Sequence, residues 1–509
     1  MLIDVHAHFF PERSARADWR EYNASRLRAG ERIGITVHLN SVLGTFGRGS
    51  PTYFPSPADV TYGNEWAFGL QREQPRRVRT YVCVNPNYSD HALAEIERGR
   101  AAGAVGIKLA ASRRATDPLL DPICAAAARH GLPILHHIWQ HRRRDRPGQE
   151  ASDAAELCHL AARHPTVHFI LAHIGGGGDW LHSLAVVPRH WNVLVDLSGS
   201  GVDGGMLEAC LAAVGAERLL WGTDMTMETG WAKLPLEERG TDLPASQFPR
   251  RLMRLDVNGF LGAYPWRRVP GTSPEALLAA MDRTGIDTAW VTHLPSLFWR
   301  DPTEGNIWLY EAADAHERLE PVPCVHPALP HWEEALSDAA TRGAPAVRCD
   351  PHHFGLAPAG DEMRVLAAAC GAAKLPLLMT VRLEDARQRH PHDLVPELAA
   401  ASVRALLRSD PDVRLVITHA DRPFIEEVHW GSTAAEQARV WWDIAWIWGP
   451  PEDHLAHLIA TVGVERFVFG TGQPLRIPEN AVAKLDLLDL SQRDRAAIES
   501  GNVTQGVLG

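Results

Sequence analysis

The sequence predicts an α/β protein made of two tandem (β/α)8 barrels. Three observations lead there: the length, an alternation of short apolar runs with alanine-rich segments, and a repeat that runs the whole chain. At 509 residues the chain has room for two to four domains, and about 250 residues suffice for one parallel barrel. Asp4-Val5-His6-Ala7-His8-Phe9 aligns with Asp256-Val257-Asn258-Gly259-Phe260-Leu261, and Gly63-Asn64-Glu65-Trp66 with Gly305-Asn306-Ile307-Trp308. Val105-Gly106-Ile107-Lys108 matches Pro345-Ala346-Val347-Arg348, and Gly131-Leu132-Pro133-Ile134-Leu135 matches Lys374-Leu375-Pro376-Leu377-Leu378. Val167 to His173 matches Val413 to His419, and Glu217 to Asp224 matches Glu465 to Gly472. The order of the blocks is the same in both halves, which chance would not preserve.

Taken along the chain, each element has a local reason. Leu2-Ile3-Asp4-Val5 is short, apolar and β-branched, as a buried strand requires, and Phe9-Phe10-Pro11 ends it. Residues 122–130 and 153–163 carry alanine-rich helical spacing between apolar runs. Strands alternating with helices make a parallel sheet, and some eight such units close into a barrel. Gly, Thr, Asp and Pro cluster at 240–249, which places the boundary there and gives domains 1–245 and 250–509. The second copy carries a further helix-like tail at 491–502.

Composition narrows the function. Apolar content of 45% and charged content of 22% describe an ordinary globular chain. A net charge of −11 argues against nucleic acid or an anionic membrane as partner. Seven cysteines without a C-x-x-C pair suit reduced thiols, and no apolar run reaches the length of a membrane span. A cleaved leader would remove His6 and His8. The expectation is a cytoplasmic protein acting on a small molecule.

In a parallel barrel the chemistry collects at the carboxyl ends of the strands. The strand-final polar residues of the first half are His6 and His8, Lys108, His136 and His137, His173, and Asp224. His6 and His8 share one strand face because side chains alternate. A single strand-end histidine is more often structural, and an aspartate after Gly222-Thr223 is more often a cap. Four independent strand ends with metal-capable groups reverse those odds. Imidazoles with one carboxylate suit zinc, manganese or iron(II).

Ile3-Asp4-Val5-His6-Ala7-His8, a histidine after Leu132-Pro133-Ile134-Leu135, Leu171-Ala172-His173-Ile174-Gly175-Gly176 and Gly222-Thr223-Asp224 together resemble the amidohydrolase superfamily. More narrowly, they are similar to the branch holding aminocarboxymuconate-semialdehyde decarboxylase and lactone hydrolases. The resemblance implies one divalent metal, zinc first with manganese or iron as alternatives, held by His6, His8, His137 and Asp224. It favours His137 over His136, since the ligand falls four residues after Pro133. It makes His173 the group that acts on water or substrate, with Asp224 orienting the water. Lys108 is expected to be a plain lysine able to bind an anion rather than a bridging ligand. Arg142 and Arg143, facing the site, would suit a substrate carboxylate together with Lys108; a solvated charge run is the alternative. The glycines at 175–178 would let backbone approach the substrate.

The second half keeps the frame and loses the ligands: Asn258, Phe260, Thr380 and Gly472 stand where His6, His8, His137 and Asp224 stand, and only His419 matches His173. It is expected to be metal-free, either a scaffold or an intrachain pseudo-partner completing the first site through Arg348 or Arg422. A further homo-oligomer is compatible with either. Trp430, Trp441, Trp442, Trp446 and Trp448 crowd this half, with buried core as their default assignment. The expected activity is metal-dependent hydrolysis of an amide or lactone in a small carboxylate-bearing molecule. Non-oxidative decarboxylation is the alternative, and a non-catalytic binding protein the second alternative.

Overall fold

A computed structural model describes residues 1–14, 16–43, 54–138, 150–174, 180–199, 203–225, 253–385, 389–390 and 392–509. The expected boundary at 240–249, the arginines Arg142 and Arg143 and the glycines 175–178 lie outside them. The chain divides into two compact units. One is Met1–Val202, Met206–Leu243 and Pro450–Glu452; the other is Asp203–Gly205, Pro244–Gly449 and Asp453–Gly509. No helix among the described residues is long and apolar enough to cross a membrane. All seven cysteines are buried and free.

The first unit is an eight-stranded parallel sheet with strands in sequence order. These are β1 (Leu2–Ala7), β2 (Ile35–Asn40), β3 (Val78–Val84), β4 (Gly106–Leu109), β5 (Ile134–His137), β6 (Phe169–Ala172), β7 (Val193–Asp196) and β8 (Leu219–Leu220). The sheet closes on itself. Val5 N donates to Trp221 O at 3.0 Å, Asp224 N donates to His6 O at 2.6 Å, and Ala7 bridges Asp224 in parallel. Tyr81, Leu135, Ile170 and Ala172 pack together inside the ring. Because strand side chains alternate, His137 shares the inner face with Leu135, and His136 points the other way.

Helices separate the strands where the spacing predicts them. Residues Asp121–His130 form a helix ended by Gly131 in the left-handed conformation, and Ala154–Arg163 form another. The second starts in a capping box: Asp153 accepts from Glu156 N, and the Glu156 carboxylate accepts from Asp153 N. Such a cap contributes about 1 kcal/mol and fixes where this helix begins.

The second unit repeats the plan in two sheets, β9 (Leu255–Leu261) with β10 (Thr288–His293) and β11 (Leu319–Pro321), and β12 (Val347–Arg348) with β13 (Leu377–Thr380), β14 (Leu415–Thr418), β15 (Val440–Asp443) and β16 (Phe467–Val468). Hydrogen bonds join them into a ring. Arg348 N donates to Pro323 O and Val325 N to Arg348 O, both at 2.9 Å; Val257 N donates to Phe469 O at 3.0 Å and Gly472 N to Asn258 O at 2.8 Å. Its inner cluster includes Leu255, Val257, Trp290, Leu378, Val416 and Trp441, closed by Val503 and Val507 from the tail. The expected pair of (β/α)8 barrels is therefore the observed architecture. The tryptophans divide: Trp441 and Trp442 are buried core, whereas Trp430 is 65% exposed.

Candidate metal centre

The first barrel gathers its polar strand ends at one place. His6, His8 and Asp224 each offer a ligand atom within 4.8 Å of the others, the one such trio of potential metal ligands among the described residues. Asp224 Oδ1 is 3.3 Å from His8 Nε2 and 3.8 Å from His6 Nε2. The far nitrogen of each imidazole is held. His6 Nδ1 donates to Asp196 Oδ2 at 2.7 Å, and His8 Nδ1 donates to the carbonyl of Ser41 at 2.9 Å. A proton on each Nδ1 leaves an Nε2 lone pair, so lone pairs from two rings converge with a carboxylate oxygen. Unscreened, that arrangement is repulsive; a divalent cation satisfies all three donors at once. Carboxylate or carbonyl partners on the far nitrogen are the usual supports of metal-ligating histidines. The donor set fits a divalent metal.

The remaining predicted residues sit around this trio. Lys108 is buried at the end of β4, with Nζ 2.9 Å from His6 Nε2, so it lies within the cluster and not at its rim. Burial drops its pKa to about 8, opposed by the Asp224 and Asp196 carboxylates. His173 stacks on His6 with ring centroids 5.7 Å apart, and its Nε2 is 3.1 Å from His137 Nδ1. His137 thus contacts His173 and stands outside the 4.8 Å trio. Burial lowers the His173 pKa to about 4 and holds His137 well below the ordinary imidazole value, so both rings are neutral near pH 7. Burial opposes ionisation of Asp224, but its contact with the His8 ring and the nearby His6 and His173 rings outweigh it and keep the carboxyl well below its usual range. His136 is fully buried on the outer face, its Nδ1 on the His137 carbonyl.

Residues that strand-end logic passed over hold this site in place. Asp196 accepts from His6 Nδ1, Ser198 N, Ser198 Oγ and His173 N, tying β7 to β1 and β6. It ends the run Val193-Leu194-Val195-Asp196, the same signal that marked His173 and Asp224. Asp4, fully buried, accepts from His6 N, His38, and the amide and hydroxyl of Thr223. Arg26, fully buried in the helix Trp19–Arg32, donates to Thr223 Oγ1 and to the Asp224 carbonyl. Nothing in a helical arginine's sequence context marks that role. His173 and Asp224 both take left-handed backbone (φ 44° and 54°), a strain of order 1–3 kcal/mol that clusters at functional sites. Gly199 (φ 87°) is needed beside them, since a Cβ there would lie 2.6 Å from His173 Cβ.

The second barrel arranges the same frame without the trio. Asp256 takes the place of Asp4, accepting from Thr471 and Gln473, and Asp443 takes that of Asp196, accepting from His419 N and Asn258 Nδ2. Phe260 is fully buried where His8 would be. Arg348 fills the centre, donating to Asn258 Oδ1 and Thr380 Oγ1, both at 2.8 Å. Its expected role in completing the other site is not what its geometry shows, because it is 1% exposed and held inside its own barrel. Arg422 pairs with Glu426 on its own helix at 2.8 Å.

Comparison with known families is decisive for the class. The amidohydrolase family model matches residues 3–254 and again 262–504. The chain belongs to the amidohydrolase family. As a member of that family it is of an enzyme class that generally uses a divalent metal. Similar solved structures include a proposed 2-pyrone-4,6-dicarboxylic acid hydrolase from Pseudomonas putida (19% identity, TM-score 0.39, 51% of this chain and 98% of its own). Others are a 5-carboxyvanillate decarboxylase from Sphingomonas paucimobilis (13%, 0.38, 50% and 98%) and a 2,6-dihydroxybenzoate decarboxylase from Rhizobium (16%, 0.36, 47% and 94%). A comparison with curated proteins finds no match.

Proposed function

We propose that the first barrel of this amidohydrolase is a metal-dependent hydrolase that cleaves a C–N or C–O bond, an amide or lactone, in a small carboxylate-bearing substrate. The observation that carries the reading is the convergence of His6, His8 and Asp224 beside a neutral, buried His173. We assign the metal to His6, His8 and Asp224, with His137 as the fourth donor, and zinc as the first candidate ahead of manganese or iron. A bound divalent ion would supply Lewis-acid polarisation of the bond under attack. His173, as a neutral base, accepts a proton from the attacking water and returns it to the leaving group. Asp224 accepts a hydrogen bond from that water and orients it. Asp196 holds the His6 ring, and Lys108 balances the Asp196 and Asp224 carboxylates. Arg142 and Arg143 are the proposed partners of the substrate carboxylate.

A second reading, non-oxidative decarboxylation, rests on Lys108. An ammonium within the cluster can protonate the carbon from which carbon dioxide departs. Turnover of a panel of lactones, amides and aromatic carboxylates in 18O-water separates the two. Hydrolysis puts 18O into the product; decarboxylation releases carbon dioxide and leaves the product unlabelled. A chain that holds metal and turns over neither class would move the first barrel to a binding role.

The second barrel is, in the same reading, a duplicated and degenerate copy, with 1–245 the active domain and 250–509 the metal-free one. Seven buried free thiols support a reducing, cytoplasmic setting.

A further inference from the structure

The second barrel gathers cations at its carboxyl end, where the first gathers metal ligands. His419, at the end of β14, is fully buried, and its Nδ1 donates to the Arg382 carbonyl at 2.8 Å. Its Nε2 has no hydrogen-bond partner and is directed at Gly472, where any side chain would collide with it. After burial itself, Arg476, Arg348 and Arg382 are the charges that disfavour its protonation. The guanidiniums of Arg476 and Arg382 lie 4.8 and 5.4 Å from the centre of one indole, Trp446, whose ring is 5.8 Å from that of His419.

The terminal nitrogens of Arg382 pair with Asp421 at 2.7 Å and Glu397 at 2.8 Å. Arg348 is held by neutral Asn258 and Thr380, and Asp350 stands 4.0 Å away. The Nε atoms of Arg348 and Arg382 and the Nε1 of Trp446 are buried without hydrogen-bond partners, like His419 Nε2. Buried polar atoms without partners are scarce in folded proteins, and several in one place call for water, an ion or a ligand to satisfy them. The carboxylate that Asp224 supplies in the first barrel has no counterpart at Gly472. A small cleft walled by Thr380, Arg382 and Arg389, with Asp350 and Asp393, opens beside these strand ends.

We propose that the mouth of the second barrel binds a small organic carboxylate, held by the Arg382 and Arg476 guanidiniums beside Trp446 and Gly472. A planar guanidinium matches a carboxylate through parallel N–H bonds, and stacking on an indole keeps its fork flat and oriented. The ligand's carboxylate takes the electrostatic place of the lost aspartate. The second barrel is then a ligand-binding domain and not an inert scaffold, whatever reaction the first barrel performs.

The test is isothermal titration calorimetry on the full chain carrying His6→Ala, which removes the first barrel's metal trio. Acetate, malonate, benzoate and inorganic phosphate are the titrants. At least one carboxylate is expected to bind once per chain. Its affinity should fall roughly tenfold or more in Arg476→Gln and by less in Arg476→Lys, which keeps the charge but not the fork. Circular dichroism melting checks that both variants fold; if Arg476→Gln does not, the Arg476→Lys loss and a parallel loss in Trp446→Leu carry the test. Absence of heat with all three carboxylates overturns the proposal. So does binding unchanged in every variant, or phosphate binding as tightly as the carboxylates.

Discussion

The two barrels keep the same skeleton around opposite charges. In the first, Asp4 pins Thr223 and Asp196 pins His6; in the second, Asp256 pins Thr471 and Asp443 pins Asn258. What differs is the occupant of the centre. The first leaves lone pairs and a carboxylate, which call for a cation. The second supplies a built-in cation, the Arg348 guanidinium, which donates to Asn258 just as Lys108 contacts His6. A barrel with buried carboxylates and no metal-ligand trio can keep its charge balance by placing an arginine at its centre. The strained backbone tells the same story. Asp224 has φ 54°, and its counterpart Gly472 has φ 72°, a conformation glycine adopts without penalty.

Metal content should break the comparison most sharply. About one divalent ion per chain is expected by plasma mass spectrometry, lost in His6→Ala and in Asp224→Asn and kept in Asn258→Ala. Metal retained in Asp224→Asn, or lost in Asn258→Ala, would reverse the assignment of the two barrels.

The next effect is on turnover. His173→Gln should lower kcat by roughly 10²–10⁴ with metal retained, whereas His419→Gln should leave kcat near the parent value. An equal drop in both would show that the second barrel takes part in the chemistry.

The buried aspartates allow a sharper test through pH. Burial raises the Asp443 pKa from 3.8 to about 6, so the folded second barrel favours the protonated form. Its stability is then highest below about pH 4 and falls by about 3 kcal/mol as pH rises through 6, for this group taken alone. Hydrogen exchange of the β14 and β15 amides reads that slope, and Asp443→Asn should flatten it. A slope unchanged in the variant would place the titration elsewhere.

Smaller still is the effect of Asp196→Asn, expected to weaken metal binding roughly 10–100-fold by loosening the His6 ring. Competition with a chelator measures it, and Asp443→Asn should show no change in the same assay. Arg348→Met should destabilise the second barrel by about 1–3 kcal/mol, since Asn258 and Thr380 lose a buried partner. A urea midpoint unaltered in that variant would mean the centre repacks without its cation.

Much of this was legible in the chain. The repeat, the strand-helix alternation and the polar strand ends at His6, His8, His173 and Asp224 follow from periodicity and spacing, which are local properties. The capped helix at Ala154–Arg163 was equally readable from Asp153 and Glu156. Asp196 carried a readable signal as well, since it ends an apolar run like the others. Arg26 carried none. Its function is to reach Thr223 and the Asp224 carbonyl nearly two hundred residues away, and only closure of β8 against β1 brings them together. Arg348 misled for the same reason: an arginine at a strand end reads as a residue reaching outward, whereas here it fills the interior between Asn258 and Thr380.

The sequence alone determined the two-barrel plan, the strand ends where polar residues gather, and which copy carries His6, His8 and Asp224. Those depend on residue type and register, and both are written along one strand at a time. Tertiary structure decided which nitrogen of each histidine faces the centre, that His137 meets His173, and that Arg348 neutralises its own barrel. Each depends on where separate strands converge, and the distance between side chains far apart in sequence is set only when the ring closes.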